Sequence, residues 1–260
     1  MTKLMKDTGV LAILFCLAAA APLSADVGSM SVSPSEITLR GAVGQTTTQI
    51  LSFTNKTSRV LSFEMMAQDA VVQNGVRSYV EAGTVASGIA ATAVFAPKVF
   101  TAAPGESRDI KVTVTIPRNT AVRAIAVMCQ GTTKLGLKPL QMTASVGTLF
   151  TFALVGDVIA ATASPLLIQT PTASANLVAR QDVANSGTEP VVATGMLVIL
   201  DGTGTMIGRQ SITGWRMLPG EKTPVRVVYD GRLAAGHYRA IVTYDLTDKT
   251  LTSIAEFDVR

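Results

Sequence analysis

One histidine, His237, and two cysteines, Cys16 and Cys129, are all that 260 residues offer toward thiol or soft-metal chemistry. Cys16 lies in the apolar run GVLAILFCLAAAA at 9–21, which follows Lys3 and Lys6 and leads into PLSA at 22–25. That is the layout of a secretory signal peptide, with cleavage expected after Ala25. Only Cys129 then remains, and one cysteine cannot close an intrachain disulfide. At the end of AIAVMC it reads as a small buried hydrophobe rather than a reactive thiol. One histidine and one thiol cannot build an ordinary zinc site. The acids Asp182, Glu189, Asp201, Asp245 and Asp248 do not follow a calcium-loop spacing. No G-x-S-x-G, H-E-x-x-H, P-loop or dinucleotide fingerprint occurs. No enzyme activity, metal or cofactor is expected.

Charge is also scarce, at 15% of residues. Loss of residues 1–25 removes Lys3, Lys6 and Asp7 and lowers the net charge from +4 to +3. The basic residues form no run and are not interleaved with aromatic side chains, which argues against a nucleic-acid surface. Beyond the signal segment no stretch reaches the eighteen or so apolar residues that a membrane helix needs. The exported chain is expected in the periplasm, with the cell surface or exterior as the alternative, and with no integral membrane segment.

What the chain does contain is strand grammar. EITL (36–39), QILSF (49–53), RVLSFEMMA (59–67), DIKVTVTI (109–116), RAIAVMC (123–129) and LQMTASVGTLFTFAL (140–154) are separated by Gly, Pro, Asn and Ser clusters. In DIKVTVTI, Ile110, Val112, Val114 and Ile116 fall on one face, the pattern of a half-buried antiparallel strand. The grammar repeats in NLVARQDV (176–183), VVATGMLVIL (191–200), GRQSI (208–212), TPVRVVY (223–229), HYRAIVTYDL (237–246) and TSIAEFDV (252–259). No long apolar segment has a helical period. Six or more strands in each half match the size of an immunoglobulin-like sandwich. The expected organisation is all-β: a signal peptide at 1–25, one sandwich over 26–157 and a second over 158–260.

A weak internal repeat supports the pairing of halves. PGE at 104–106 and again at 219–221 each launches an alternating strand, proline presetting φ and glycine permitting the next step. Asn55 and Asn185 each end an early strand in a polar turn. Trp215, just before the second of these turns, reads as a cap on the second core. Tyr238, in the sequence GHY, reads as a tyrosine-corner anchor. His237 reads as a solvent-facing residue at a strand entrance.

On these residues the first half resembles the first domain of PapD-like periplasmic pilus chaperones. SVSPSEITLRG opens it, LSFTNKTSRVLSFEM supplies strand, asparagine turn and strand, and FAPKVFTAAPGESRDIKVTV resembles the family's proline-glycine stretch. The resemblance covers about 28–155; the second half matches a generic immunoglobulin-like module. It implies a protein partner, a pilin-like or other envelope subunit, bound by β-strand addition along the long last strand of the first half. Leu140, Met142, Ala144 and Val146 have the two-residue spacing for filling a partner's groove, and the same spacing serves a strand that faces its own core. The arginine and lysine with which the family holds a subunit's terminal carboxylate fall at Glu36 and Thr148. Arg40, Lys134 and Lys138 are the basic residues nearest in sequence. The alternative reading is a non-enzymatic structural or adhesive module of the envelope.

Overall fold

The computed structural model describes residues 29–135, 140–172 and 175–260; the expected signal peptide, with Cys16, lies outside them. The side chains of 133–142, among them Leu140 and Met142, are likewise outside the description.

The first half forms two facing sheets. One runs β1 (Ser29–Ser33), β3 (Thr46–Lys56), β8 (Ser107–Thr115), β6 (Val94–Ala96). The other runs β2 (Glu36–Gly41), β10 (Leu140–Leu154), β9 (Ala124–Leu135), β4 (Leu61–Gln73), β5 (Val76–Glu81), with β7 (Val99–Ala102) also on β4. Alternation explains the layers: Ile110, Val112, Val114 and Ile116 turn inward as their spacing requires, against Phe63, Met65, Ile125, Val127, Phe150 and Phe152. Each such side chain, fully buried, contributes about 1.5–3 kcal/mol. Cys129 belongs to this core and is wholly inaccessible, and burial pushes its thiol up to about 12.

The second half repeats the plan. β13 (Leu177–Asn185) pairs with β11 (Ala161–Ala163) and β12 (Leu167–Gln169) on one side and β16 (Lys222–Tyr229) on the other. The facing sheet runs β15 (Met206–Met217), β14 (Val191–Asp201), β17 (Gly236–Asp245), β18 (Thr250–Val259). Leu177, Val183, Val225 and Val227 meet Leu197, Ile199, Val242 and Tyr244 in its core. Trp215 packs edge-on against Tyr244 at 5.8 Å, at the margin of this core. Tyr238 donates its hydroxyl to the Ala234 carbonyl at 2.8 Å, the tyrosine-corner bond. The fold is therefore two all-β sandwiches in tandem. Strands β6, β7, β11 and β12, of three or four residues, are too short for alternation to declare them, and GRQSI is the middle of a longer strand, β15.

The two PGE turns and the two asparagines form the same knot twice. Asn55, almost wholly buried, donates its amide to the carbonyls of Arg59 (2.7 Å) and Ala102 (2.9 Å); Asn185 donates to those of Glu189 (2.8 Å) and Met217 (3.2 Å). Backbone bonds close each knot: Gly105 N–H to Asn55 C=O and Asn55 N–H to Glu106 C=O, then Gly220 to Asn185 and Asn185 to Glu221. Gly105 and Gly220 have φ of 76° and 77°, the left-handed region where a side chain would be strained. Each turn glutamate caps its own turn, Glu106 accepting from Ala103 N–H and Glu221 from Leu218 N–H, both at 2.8 Å.

The sandwiches meet through two arginines that cross over. Arg77 of β5 binds Glu221 at 2.7 Å and the Arg216 carbonyl at 2.9 Å. Burial pulls down the Arg77 pKa, yet its hydrogen bonds to Glu221 and Tyr79 outweigh this and hold it above its ordinary value. In return Arg216 of β15 donates to Thr38 (2.9 Å), Thr151 (2.8 Å) and Glu36 (3.2 Å). Leu218 packs beside them on Ala70 and Ala124.

Candidate functional site

The site is an edge. β1 lies in one sheet of the first sandwich, paired with β3, and after Ser33 the chain crosses to the other sheet as β2. β2 runs parallel to β10 but covers only Leu149–Leu154. On its other side β10 is paired with β9 continuously from Leu140 to Thr151. Residues 140–148 of β10 thus have a neighbour on one side alone among the described strands.

Backbone direction follows from the ladder. The N–H groups of Leu149 and Val155 point to β2, at Ser35 and Gly41, whereas that of Phe152 points to the β9 side, at Arg123. Groups of one strand alternate in direction. Because the register to β9 is unbroken, the backbone N–H and C=O of Gln141, Thr143, Ser145 and Gly147 face the open side.

Apart from the six-residue margin Thr46–Leu51 of β3, which β1 leaves uncovered, this edge differs from the other open edges described. β1, β6, β7, β11 and β12 are three to five residues long. β2 carries Glu36 and Arg40, β5 Arg77 and Glu81, β18 Glu256 and Asp258, and β15 Arg209 with two register shifts. β16 carries Pro224, and its missing N–H faces outward: opposite it, Asp182 turns its own N–H away, to Ser164 at 3.0 Å. Charge, proline, irregularity and shortness are the devices that stop strand edges from recruiting other chains. LQMTASVG at 140–147 has none of them.

Of the four residues singled out by spacing, Val146 packs partly buried against the first core and Ala144 is half-buried. Leu140 pairs with Leu135 and Met142 with Thr133 in the ladder; their side chains lie outside the description. Ala144 and Val146 share the strand face that carries Phe150 and Phe152 inward further along.

At the foot of the edge the structure brings together the two positions where the resemblance placed basic anchors. Glu36 stands beside Leu149, one residue from Thr148. Neither offers a positive charge: Glu36 meets Arg216, and the buried Thr148 donates its hydroxyl to the Pro34 carbonyl at 2.7 Å. Both adjoin a cleft of about 430 Å³ that Gln68, Arg77, Tyr79 and Met128 also line. Arg40 is engaged by Glu189 across the sandwiches at 2.5 Å; Lys138 and the Lys134 side chain lie outside the description. Sequence reasoning missed Arg77 and Arg216, which no local motif marks.

The fold and this edge define a class: tandem immunoglobulin-like sandwiches with a long unprotected strand margin. No family model matches the sequence, and no curated protein matches it. Among solved structures the chain is similar to the class 5 fimbriae chaperone CfaA, with 11% identity, 87% of this chain and 98% of that chain covered, and a TM-score of 0.47. It is also similar to the E. coli chaperone DraB, with 13% identity, coverage of 90% and 98%, and a TM-score of 0.41. A third is a chain from the CsuC-CsuE chaperone–tip adhesion subunit complex of Acinetobacter baumannii, with 10% identity, coverage of 88% and 97%, and a TM-score of 0.43.

Proposed function

We propose that this chain is a periplasmic chaperone-like protein that binds a pilin-like or other secreted envelope subunit by β-strand addition along residues 140–147 of β10. The supporting observation is the contrast among edges: this margin has eight residues, outward backbone groups and no guard, while the other margins described are charged, irregular, carry proline or are shorter, the longest unguarded one among them being Thr46–Leu51 of β3. Four outward residues offer paired donors and acceptors to an incoming strand, and Leu140, Met142, Ala144 and Val146 have the two-residue spacing to fill a partner's groove. The class of partner comes from the resemblance of 28–155 to pilus chaperones. Glu36 and Thr148 set this chain apart: its grip on a partner rests on backbone pairing and side-chain packing rather than on a basic pair at those positions.

The test is capture from envelope extract on immobilised protein, read by mass spectrometry. Ser145→Pro removes one outward N–H and leaves the β9 ladder intact, and Met142→Asp puts a charge at one of the four alternate positions. Each is expected to lose at least about tenfold of the captured subunit, the cost of one or two unmade hydrogen bonds or a buried charge, with an unchanged far-ultraviolet spectrum. Retention of every captured protein by both variants would refute strand addition here and leave the passive envelope module.

A further inference from the structure

We propose that the groove between β15 and β16 of the second sandwich binds a small anionic amphiphile, an oxyanion head carried on one apolar chain. The two strands border different sheets, and no ladder joins them. They part between two clasps. At one end the turn Pro219–Glu221 carries β15 into β16. At the other, the Tyr229 hydroxyl of β16 lies where a side chain at Gly208 would begin and donates to the Ile207 carbonyl of β15 at 3.4 Å. Between the clasps lies a groove of about 330 Å³, near the small end of ligand pockets. Its apolar lining is the flank of the second core, Val225 and Val227 from β16 with Ile212 and Trp215 from β15. A peptide strand does not suit it. Pro224 withholds an outward N–H on the β16 wall, and a register shift breaks the β15 wall between the partners of Ala193 and Gly195. A ligand that needs no backbone ladder does.

Charge selects the head group. Arg226 stands at the lip of the groove, exposed, and directly opposite it in the β13 ladder is a second exposed arginine, Arg180. The Asp182 N–H turns to Ser164, away from β16, so Arg180, two residues earlier, also turns its backbone groups away and forms a non-hydrogen-bonded pair with Arg226. Side chains in such a pair stand closest, and like charges placed there repel. The neighbouring acid in the ladder, Asp182, is already held by Lys222 at 2.9 Å. Neither arginine has an ion pair among the described residues. Repulsion from Arg180 therefore drives the Arg226 guanidinium toward the lip, where an oxyanion relieves it and an apolar chain attached to that oxyanion enters the groove.

Trp215 is the only tryptophan of the chain and lines the groove. No hydrogen bond among the described residues holds its indole N–H, so its emission reads the contents of the groove. Titration of the purified protein with decanoate, below its micellar concentration, is expected to give a saturable emission shift. Decanol should bind at least about tenfold more weakly and decylammonium not at all. Arg226→Gln should lower the affinity for decanoate about tenfold and leave that for decanol unchanged, and Arg180→Gln should lower it about threefold. Ser145→Pro, at the β10 edge, should bind decanoate as the parent does, which separates this site from strand addition. Absence of a saturable shift overturns the proposal, as does equal binding of decanol, or a preference for the anion that survives Arg226→Gln. An emission shift on concentrating the ligand-free protein would give the groove to a second copy and overturn it too.

Discussion

At the scale of single residues, the duplicated asparagine knot carries the largest expected penalties. Asn55→Ala leaves the carbonyls of Arg59 and Ala102 without their donor in a buried setting, and Asn185→Ala does the same to Glu189 and Met217. Each is expected to cost about 2–3 kcal/mol in denaturant unfolding. Cys129 and Tyr244 make a second prediction. Burial raises the thiol from 9.0 and the phenol from 10.0, each to about 12. Both groups hold their protons more tightly in the fold than in the unfolded chain. The stability they contribute is therefore fully present below their ordinary values and is lost as pH climbs toward about 12. Thermal midpoints should fall over that window, less steeply in Cys129→Ala, and the native thiol should resist maleimide until the protein is unfolded. The sequence marked each asparagine as a turn residue and each PGE as another. It did not show that they bind each other, because Asn55 reaches a carbonyl 47 positions away.

At the scale of elements, alternation told faces but not edges. LQMTASVGTLFTFAL was legible as one long strand, and β10 spans those residues. Which of its two margins lacks a neighbour depends on where β1 leaves one sheet and β2 joins the other, and side-chain periodicity carries no trace of that crossing. The meeting of Glu36 and Thr148 came from the resemblance, and their actual partners, Arg216 and the Pro34 carbonyl, came only from the fold. The guarded edge offers a complementary prediction to the open one. Pro224→Thr restores an outward N–H on β16, whose other margin is fully occupied by β13. The variant should keep its stability within about 1 kcal/mol yet aggregate faster on concentration, as light scattering would show. Equal solubility of variant and parent would mean that Pro224 protects nothing.

At the scale of the whole molecule, two sandwiches were legible from strand count and spacing, but the way they hold each other was not. Arg77 and Arg216 sit among scattered cations with nothing nearby in sequence to single them out, and their targets lie 144 and 180 positions away. The Arg77–Glu221 pair is largely sheltered, with side chains 18% and 14% exposed, so salt screens it poorly. Arg77→Ala is expected to cost about 2–3 kcal/mol and to split a single thermal transition into two as the sandwiches uncouple. The docking point has a history within the fold. Glu106 in the first knot ties its own turn and reaches no other sandwich, whereas Glu221, its counterpart, ties its turn and also receives Arg77. A carboxylate that is aimed only after its turn has closed cannot greet Arg77 beforehand. Docking is therefore expected to follow closure of the second turn: a fluorescence pair placed across the two halves should report no earlier than the burial of Trp215.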